Sequence, residues 1–200
     1  ARNEDLRTAC EYRLVGAVEP AIARELTVLA EELGVTIAIT GAVAEPDLAR
    51  EIAEADIVCC LRFPALESAS ASAIESLLAG KAVIVADHGF YASIPDDAAV
   101  KIDPERVETA LGTALAALGS DAQARARLGK RGRDYARATF RADNYAEQLL
   151  DLAREVDGYR AQLEFERAFG AIYAAIGAGP SDLGSVTEIS RFFGPEEAPR

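Results

Sequence analysis

Apolar positions along the 200-residue chain fall into short unbroken runs that alternate with longer runs of helical spacing. Residues 12–16 form a brief apolar strand candidate, and Ile22, Leu26, Leu29 and Leu33 follow at helical spacing up to Gly34, a suitable helix terminator. VTIAIT, over residues 35–40, is rich in β-branched residues and predicts a strand ending at Gly41. Pro46 suits the first turn of a helix reaching Ala55, and DIVCCL (56–61) predicts the next strand. A helix over 70–79, broken by Gly80, leads to the strand AVIVA (82–86), and AVKI (99–102) is a last short strand. Two further helices are expected over 104–118 and 121–138, separated at Gly119-Ser120-Asp121.

Strands alternating with helices imply an α/β fold, a doubly wound, Rossmann-like parallel sheet with helices on its faces. The strands read as continuous apolar runs, as strands covered on both faces do. This domain is assigned to residues 1–140, and residues 141–200 to a C-terminal helical extension. In the extension a helical pattern runs over 144–176. Tyr145, Leu149, Leu152, Val156, Tyr159 and Leu163 form a heptad-like stripe within it, expected to dock on another domain or, alternatively, on a second copy. Gly158, Glu166 and Gly170 argue against a long coiled coil. Residues 185–193 are one further helical candidate.

Charge narrows the function. The net charge of −12 disfavours nucleic acid as a partner, because phosphate backbones are repelled, but a small phosphorylated ligand held by a few local donors remains compatible. No run of about 18 apolar residues exists to span a bilayer. Cys10, Cys59 and Cys60 are odd in number, and two of them are adjacent in an apolar run; this predicts reduced, buried thiols in a cytoplasm rather than disulfides or a zinc site. The expected location is therefore cytoplasmic. A peripheral place at the inner membrane is the alternative, because Arg125–Arg137 with Lys130 form a cationic cluster, read first as a solvated helix face. The chain starts at Ala1 and is expected to be a fragment or a trimmed product.

Candidate chemistry sits where open parallel sheets bind ligands, outside the carboxyl ends of the strands. Two loops lie there, RFPALESASAS (62–72) and DHGFYAS (87–93). The first leads into a helix that Ser70 or Ser72 can cap. A helix start offers unbonded N–H groups and the positive end of the dipole, a site for a diphosphate. The small residues Ser68, Ala69, Ser70 and Ala71 would let a ligand come close to the backbone. Glu67 lies just before the helix and Glu75 about one turn inside it, where a carboxylate can accept hydrogen bonds from a vicinal diol such as ribose. Ser72-x-x-Glu75 also matches a capping box, a structural role for Glu75, and the lesser alternative for Glu67 is a solvated loop carboxylate. His88, the single histidine, is expected at the pocket edge or in solvent rather than in catalysis. Cys59 and Cys60 are expected to be structural, and Lys81 and Lys101 to be surface charges.

The segment FPALESASASAIESLLAGKAVIVADHGFYASIPDD resembles the C-terminal domain of the GT-B glycosyltransferases of family four (group 1). The pattern that carries the likeness is Glu67, seven residues, Glu75, Gly80, a Val/Ile-rich strand, then Asp87 and Gly89. LVGAVEP, VTIAITGAV and LAREIAEADIVCCL resemble the upstream segments, so that the likeness spans roughly residues 10–150. It implies retaining transfer from a nucleotide-diphosphate sugar, with no metal and no cofactor beyond that donor. Glu67 would contact the donor sugar and stabilise charge at the anomeric carbon, Glu75 would hold the ribose, and the backbone of Ser68, Ala69, Ser70, Ala71 and Ser72 would meet the diphosphate, with Gly89 across the cleft. Ser68 stands where the family usually has Gly. The Arg and Lys with which the family meets the diphosphate have no counterpart in the matched segments, and Arg62 is the nearest cation. The likeness further implies an acceptor-binding N-terminal domain outside this chain, an acceptor of unknown kind, and a donor half inactive alone. The alternatives are a non-catalytic module that binds a nucleotide or a protein, and a nucleotide-sugar epimerase.

Overall fold

The computed structural model describes residues 3–64, 66 and 68–175. The order of elements is α1 (Glu4–Ala9), β1 (Glu11–Val15), α2 (Pro20–Leu33), β2 (Thr36–Gly41), α3 (Glu45–Glu54), β3 (Ile57–Cys60), α4 (Ala71–Leu78), β4 (Ala82–Ala86), β5 (Val100–Ile102), α5 (Val107–Ser120), α6 (Ala122–Thr139) and α7 (Ala142–Ala175). Short 3-10 helices span Gly89–Ser93 and Pro104–Arg106. Every strand pairing between these elements is parallel. The α/β class expected from the alternation of runs is the one observed. The strands form two sheets, β1 beside β2, and β3–β4–β5 with β4 in the centre.

The core is built around β4. All five of its residues are buried, and alternate side chains face opposite helical layers. Val83 and Val85 pack with Ala73 and Leu77 of α4 and Ala136 of α6. Ala82 and Ile84 pack with Ala114 and Leu118 of α5. Side chains such as Leu77 and Ile84, with no exposed surface, each contribute about 1.5–3 kcal/mol by leaving water. A strand covered on both faces has no polar side chain to place, which is why AVIVA is apolar throughout. Its β3 neighbour is less covered: only Cys60 is buried there.

The expected elements sit where the apolar runs placed them, within a residue or two at the ends. Gly34 closes α2 in the left-handed conformation, at φ 63°, and its N–H donates to the carbonyls of Ala30 and Glu31. The structure adds α1, too short to show a period. It also shows α5 continuing through Gly119 and Ser120, so that the interruption before α6 is Asp121 alone, whose side chain accepts from Ala124 N–H. The three cysteines were expected to be buried; instead Cys10 and Cys59 are exposed and only Cys60 is buried. Lys101 is no plain surface charge: it is largely covered, donates to the Ala92 carbonyl at 2.8 Å and pairs with Asp96 at 2.9 Å. Lys81 likewise donates to the Ala53 carbonyl.

Contacts divide the chain into two units, Ala1–Arg141 and Ala142–Arg200. In the second, α7 runs 34 residues, and the stripe Tyr145, Leu149, Leu152, Val156, Tyr159 and Leu163 is exposed. Phe165 and Phe169 stack with ring centroids 6.0 Å apart. The helical candidate at 185–193 lies outside the described residues. Among the described residues no helix is long and apolar enough to cross a membrane.

α6 approaches the turn before β4 through glycine. A Cβ at Gly129 would stand 2.0 Å from the Gly80 carbonyl oxygen, and one at Gly132 would stand 2.7 Å from Leu77 Cδ2. Neither contact can relax through a flexible side-chain end alone, since Gly80 offers backbone and Ala98 O lies 2.8 Å from the second position. Gly129→Ala is therefore expected to destabilise the fold by about 1–3 kcal/mol in urea denaturation. At Gly112, where nothing lies within 4 Å, alanine is expected to stabilise by up to about 1 kcal/mol. Equal effects at both positions would show that the close approach is not formed.

Candidate functional site

The site forms at the carboxyl ends of β3 and β4. A cavity of about 330 Å³ there is lined by Cys59, Cys60, Leu61, Arg62, Ser70, Ser72 and Tyr91. One wall is the start of α4. Ser70 is its cap: the buried Ser70 Oγ accepts from Ala73 N–H at 3.4 Å, and the Ser70 carbonyl accepts from Ile74 N–H at 3.0 Å. That leaves the amides of Ala71 and Ser72, the first two of the helix, at the end where the dipole is positive. Ser72 lies inside the helix and its carbonyl accepts from Ser76 Oγ at 2.7 Å. Since Ser70 caps, the Ser72–Glu75 capping box does not form, and Glu75 is exposed on α4 without that structural duty.

The opposite wall is the loop after β4. Asp87 N–H donates to the Ile102 carbonyl at 2.8 Å, which carries the chain past β5 into the 3-10 turn. Gly89 has φ 55°, a conformation that costs other residues strain, and it starts that turn. The turn delivers Tyr91 into the interior, 1% exposed, where its hydroxyl donates to Ser70 Oγ at 3.1 Å. Tyr91 was not anticipated as a site residue. The nearest sequence signal was an aromatic pair after a glycine, which is no more than a core pattern. His88 packs edge-on against Phe63, centroids 5.1 Å apart, and is not among the residues that line the cavity.

Of the residues singled out from the sequence, Arg62, Ser70 and Ser72 line the cavity together. Ser68 and Ala69 are exposed on the approach to α4, Ala71 at its first position, Glu75 further along it, and Gly89 on the loop after β4. Glu67 lies outside the described residues. Among the described residues no three His, Cys, Asp or Glu side chains converge as a metal site.

Both thiols on β3 are raised by burial to about 11; at Cys60 the neighbouring Cys59 adds to this and Arg62 opposes it. Cys59 has open surface yet is ringed by protein at longer range, and the second property governs the thiol. The cysteines are thus poor nucleophiles, in keeping with a structural role.

The sequence profile described as glycosyl transferases group 1 matches residues 3–135. The chain belongs to this family. No curated protein sequence matches it. Among solved structures, sucrose-phosphate synthase from Thermosynechococcus elongatus is 25% identical, with a TM-score of 0.60 over 73% of this chain and 38% of its own. Anabaena HepE, solved in complex with UDP-glucose, is 20% identical, with a TM-score of 0.62 over 72% of this chain and 41% of its own. WaaG, a glycosyltransferase involved in lipopolysaccharide biosynthesis, is 24% identical, with a TM-score of 0.55 over 67% of this chain and 35% of its own. This group 1 chain therefore spans about two fifths or less of the length of these proteins. The resemblance read from Glu67 to Gly89 is the family that the profile finds.

Two measurements check the geometry. Ser70→Ala removes a cap and a hydrogen bond to a buried tyrosine, and is expected to cost about 1–2 kcal/mol in thermal denaturation. Ser72→Ala is expected to stay within about 0.5 kcal/mol of wild type; the reverse order would place the cap at Ser72. Alkylation at pH 8 is expected to label exposed Cys10 first. With thiols near 11 rather than the usual 9.0, Cys59 and Cys60 hold roughly a hundredth of the ordinary thiolate fraction. Raising the pH through 9 to 11 should then release their reactivity and lower stability, because the unfolded chain ionises first. Cys59 labelling as fast as Cys10 at pH 8 would contradict the assignment.

Proposed function

We propose that this chain is the donor-binding half of a retaining glycosyltransferase, holding a nucleotide-diphosphate sugar at the start of α4. The observation that supports the reading is the capped amino end of α4 opening into a cavity that Arg62 also lines. A diphosphate there gains two amides, the helix dipole and a guanidinium. Glu75 is the ribose ligand, one turn further along and released from the capping role. Glu67, ahead of the helix, meets the donor sugar and stabilises positive charge as the bond to the diphosphate breaks. Departure of the diphosphate is the step the helix start assists, by stabilising the negative charge that develops on it. The acceptor is bound by polypeptide outside this chain, which on this reading is inactive alone. No metal or cofactor is needed.

A second reading has one observation in its favour. Ser68 replaces the glycine that the family usually carries after the first glutamate. A module that binds nucleotide or a protein partner without transfer would tolerate this change.

The test is made in the full-length protein with released nucleotide as the signal. Glu75→Ala is expected to lose about 1.5–3 kcal/mol of donor binding, roughly ten- to a hundredfold in affinity. Glu67→Ala is expected to lower turnover roughly a hundredfold with a smaller change in donor affinity. Both should leave the fold intact by circular dichroism. Wild-type turnover in both variants would refute the proposal; nucleotide binding without transfer in the wild type would favour the module. Sugar isomerisation without nucleotide release would point to an epimerase. A thermal-shift panel of nucleotide diphosphates and their sugars would name the donor, since a tight ligand raises apparent stability by mass action.

A further inference from the structure

The hydroxyl of Ser70 has more to give than the cap of α4 uses. A serine hydroxyl carries one proton and two lone pairs. Both lone pairs are taken: one accepts from Ala73 N–H at 3.4 Å, the other from the Tyr91 hydroxyl at 3.1 Å. The proton is the part left over. Among the described residues nothing accepts it, although Ser70 is only 6% exposed. Buried polar hydrogens are almost always bonded, and the space that Ser70 adjoins is the cavity.

Tyr91 decides which way that proton points. The carbonyls on either side of it in the chain are both held: Ser93 Oγ donates to the Phe90 carbonyl at 2.7 Å, and Lys101 Nζ to the Ala92 carbonyl at 2.8 Å. The ring is therefore fixed from its own turn and from β5, independently of α4. A phenol that donates to Ser70 closes that direction to the serine's own proton. The Ala73 amide closes a second, and the direction that remains faces the cavity.

The other groups on the cavity wall agree in sign. The amides of Ala71 and Ser72 are donors at the positive end of the helix dipole, and Arg62 brings a guanidinium. The thiols of Cys59 and Cys60, pushed up to about 11 by burial, stay protonated at neutral pH. Among the described residues no carboxylate lines the cavity. A wall of donors selects a ligand dense in acceptors, and an anionic phosphoryl group is the densest that biology offers.

We propose that the Ser70 hydroxyl donates a hydrogen bond to a phosphoryl oxygen of the nucleotide sugar's diphosphate, and that Tyr91 is the positioning residue that aims it. This rests on the donor-binding reading of the same cavity. Ser70 then meets the ligand through its side chain, beside the backbone amides that follow it, and Tyr91 acts on binding through Ser70.

The test is calorimetric titration of the full-length protein with UDP, ADP and GDP, continued with whichever binds. Ser70→Gly removes the hydroxyl and leaves a residue that helix caps accept at little cost. It is expected to weaken binding roughly tenfold or more, since hydrogen bonds to charged acceptors are among the stronger ones. Tyr91→Phe keeps the ring and leaves the proton without direction, for an expected loss of about three- to tenfold. The double variant is expected to bind no more weakly than Ser70→Gly alone, because the tyrosine then has no hydroxyl to aim. A merely structural tyrosine would instead cost the same factor in either background, and that result would overturn its positioning role. Wild-type affinity in Ser70→Gly would overturn the hydrogen bond itself while leaving the donor reading intact. Should Ser70→Gly fail to fold by circular dichroism, Tyr91→Phe decides alone, and unchanged affinity there would sink the idea. A wild-type protein that binds none of the three nucleotides would end the donor reading and this proposal with it.

Discussion

Burial of β4 on both faces is the constraint from which the rest of the first unit follows. A strand with no exposed side chain must have a helical layer above and another below; α4 with the later turns of α6 supply one, while α5 with Ala124 and Leu128 of α6 supply the other. The alternation of Val83 and Val85 against Ala82 and Ile84 divides the core between these layers. Once β4 is fixed, its carboxyl end fixes where the following loop emerges, and that loop brings Tyr91 to the cap of α4. The cavity is in this sense a product of the core: its walls are the first residues released from the layers on either side of one strand.

Much of this was legible in the chain before any coordinates. Runs such as AVIVA and VTIAIT are too short and too apolar to be exposed helices, and glycine or proline marks their ends, so the α/β alternation could be read directly. The start of α4 was equally legible, since serines before an apolar period are a cap signal. Which serine caps was not, because Ser70 and Ser72 are chemically identical; the one that caps is the one that Tyr91, 21 residues away, reaches. The same holds for the cysteines. An apolar run predicts burial, but burial of Cys59 depends on what lies beside β3, and no local pattern contains that information. α1 escaped because six residues give less than two turns of period to detect. Lys101 escaped because a lysine covered by its own loop looks the same in sequence as one in solvent.

The cationic cluster on α6 illustrates how an acidic protein handles its positive charges. Arg125 pairs with Asp56, Arg127 with Asp121, Lys130 with Asp134 and Arg131 with Asp97. Exposed pairs of this kind contribute little each, typically below 1 kcal/mol, so their main effect is on the surface field rather than on stability. Seen from solvent, the helix is a mosaic of both signs, not the uniform basic face that its arginines alone suggested.

The shared acceptor at Ser70 has a consequence for how the cavity can move. A single oxygen receives Ala73 N–H from one wall and Tyr91 O–H from the other. Were the loop after β4 to swing outward, Tyr91 would leave a buried position and the helix cap would lose its neighbour in the same motion. The two walls are therefore geared together and have few independent ways to open. A ligand that settled on one wall would find the other tied to it through that oxygen, which lowers the ordering entropy such binding would cost.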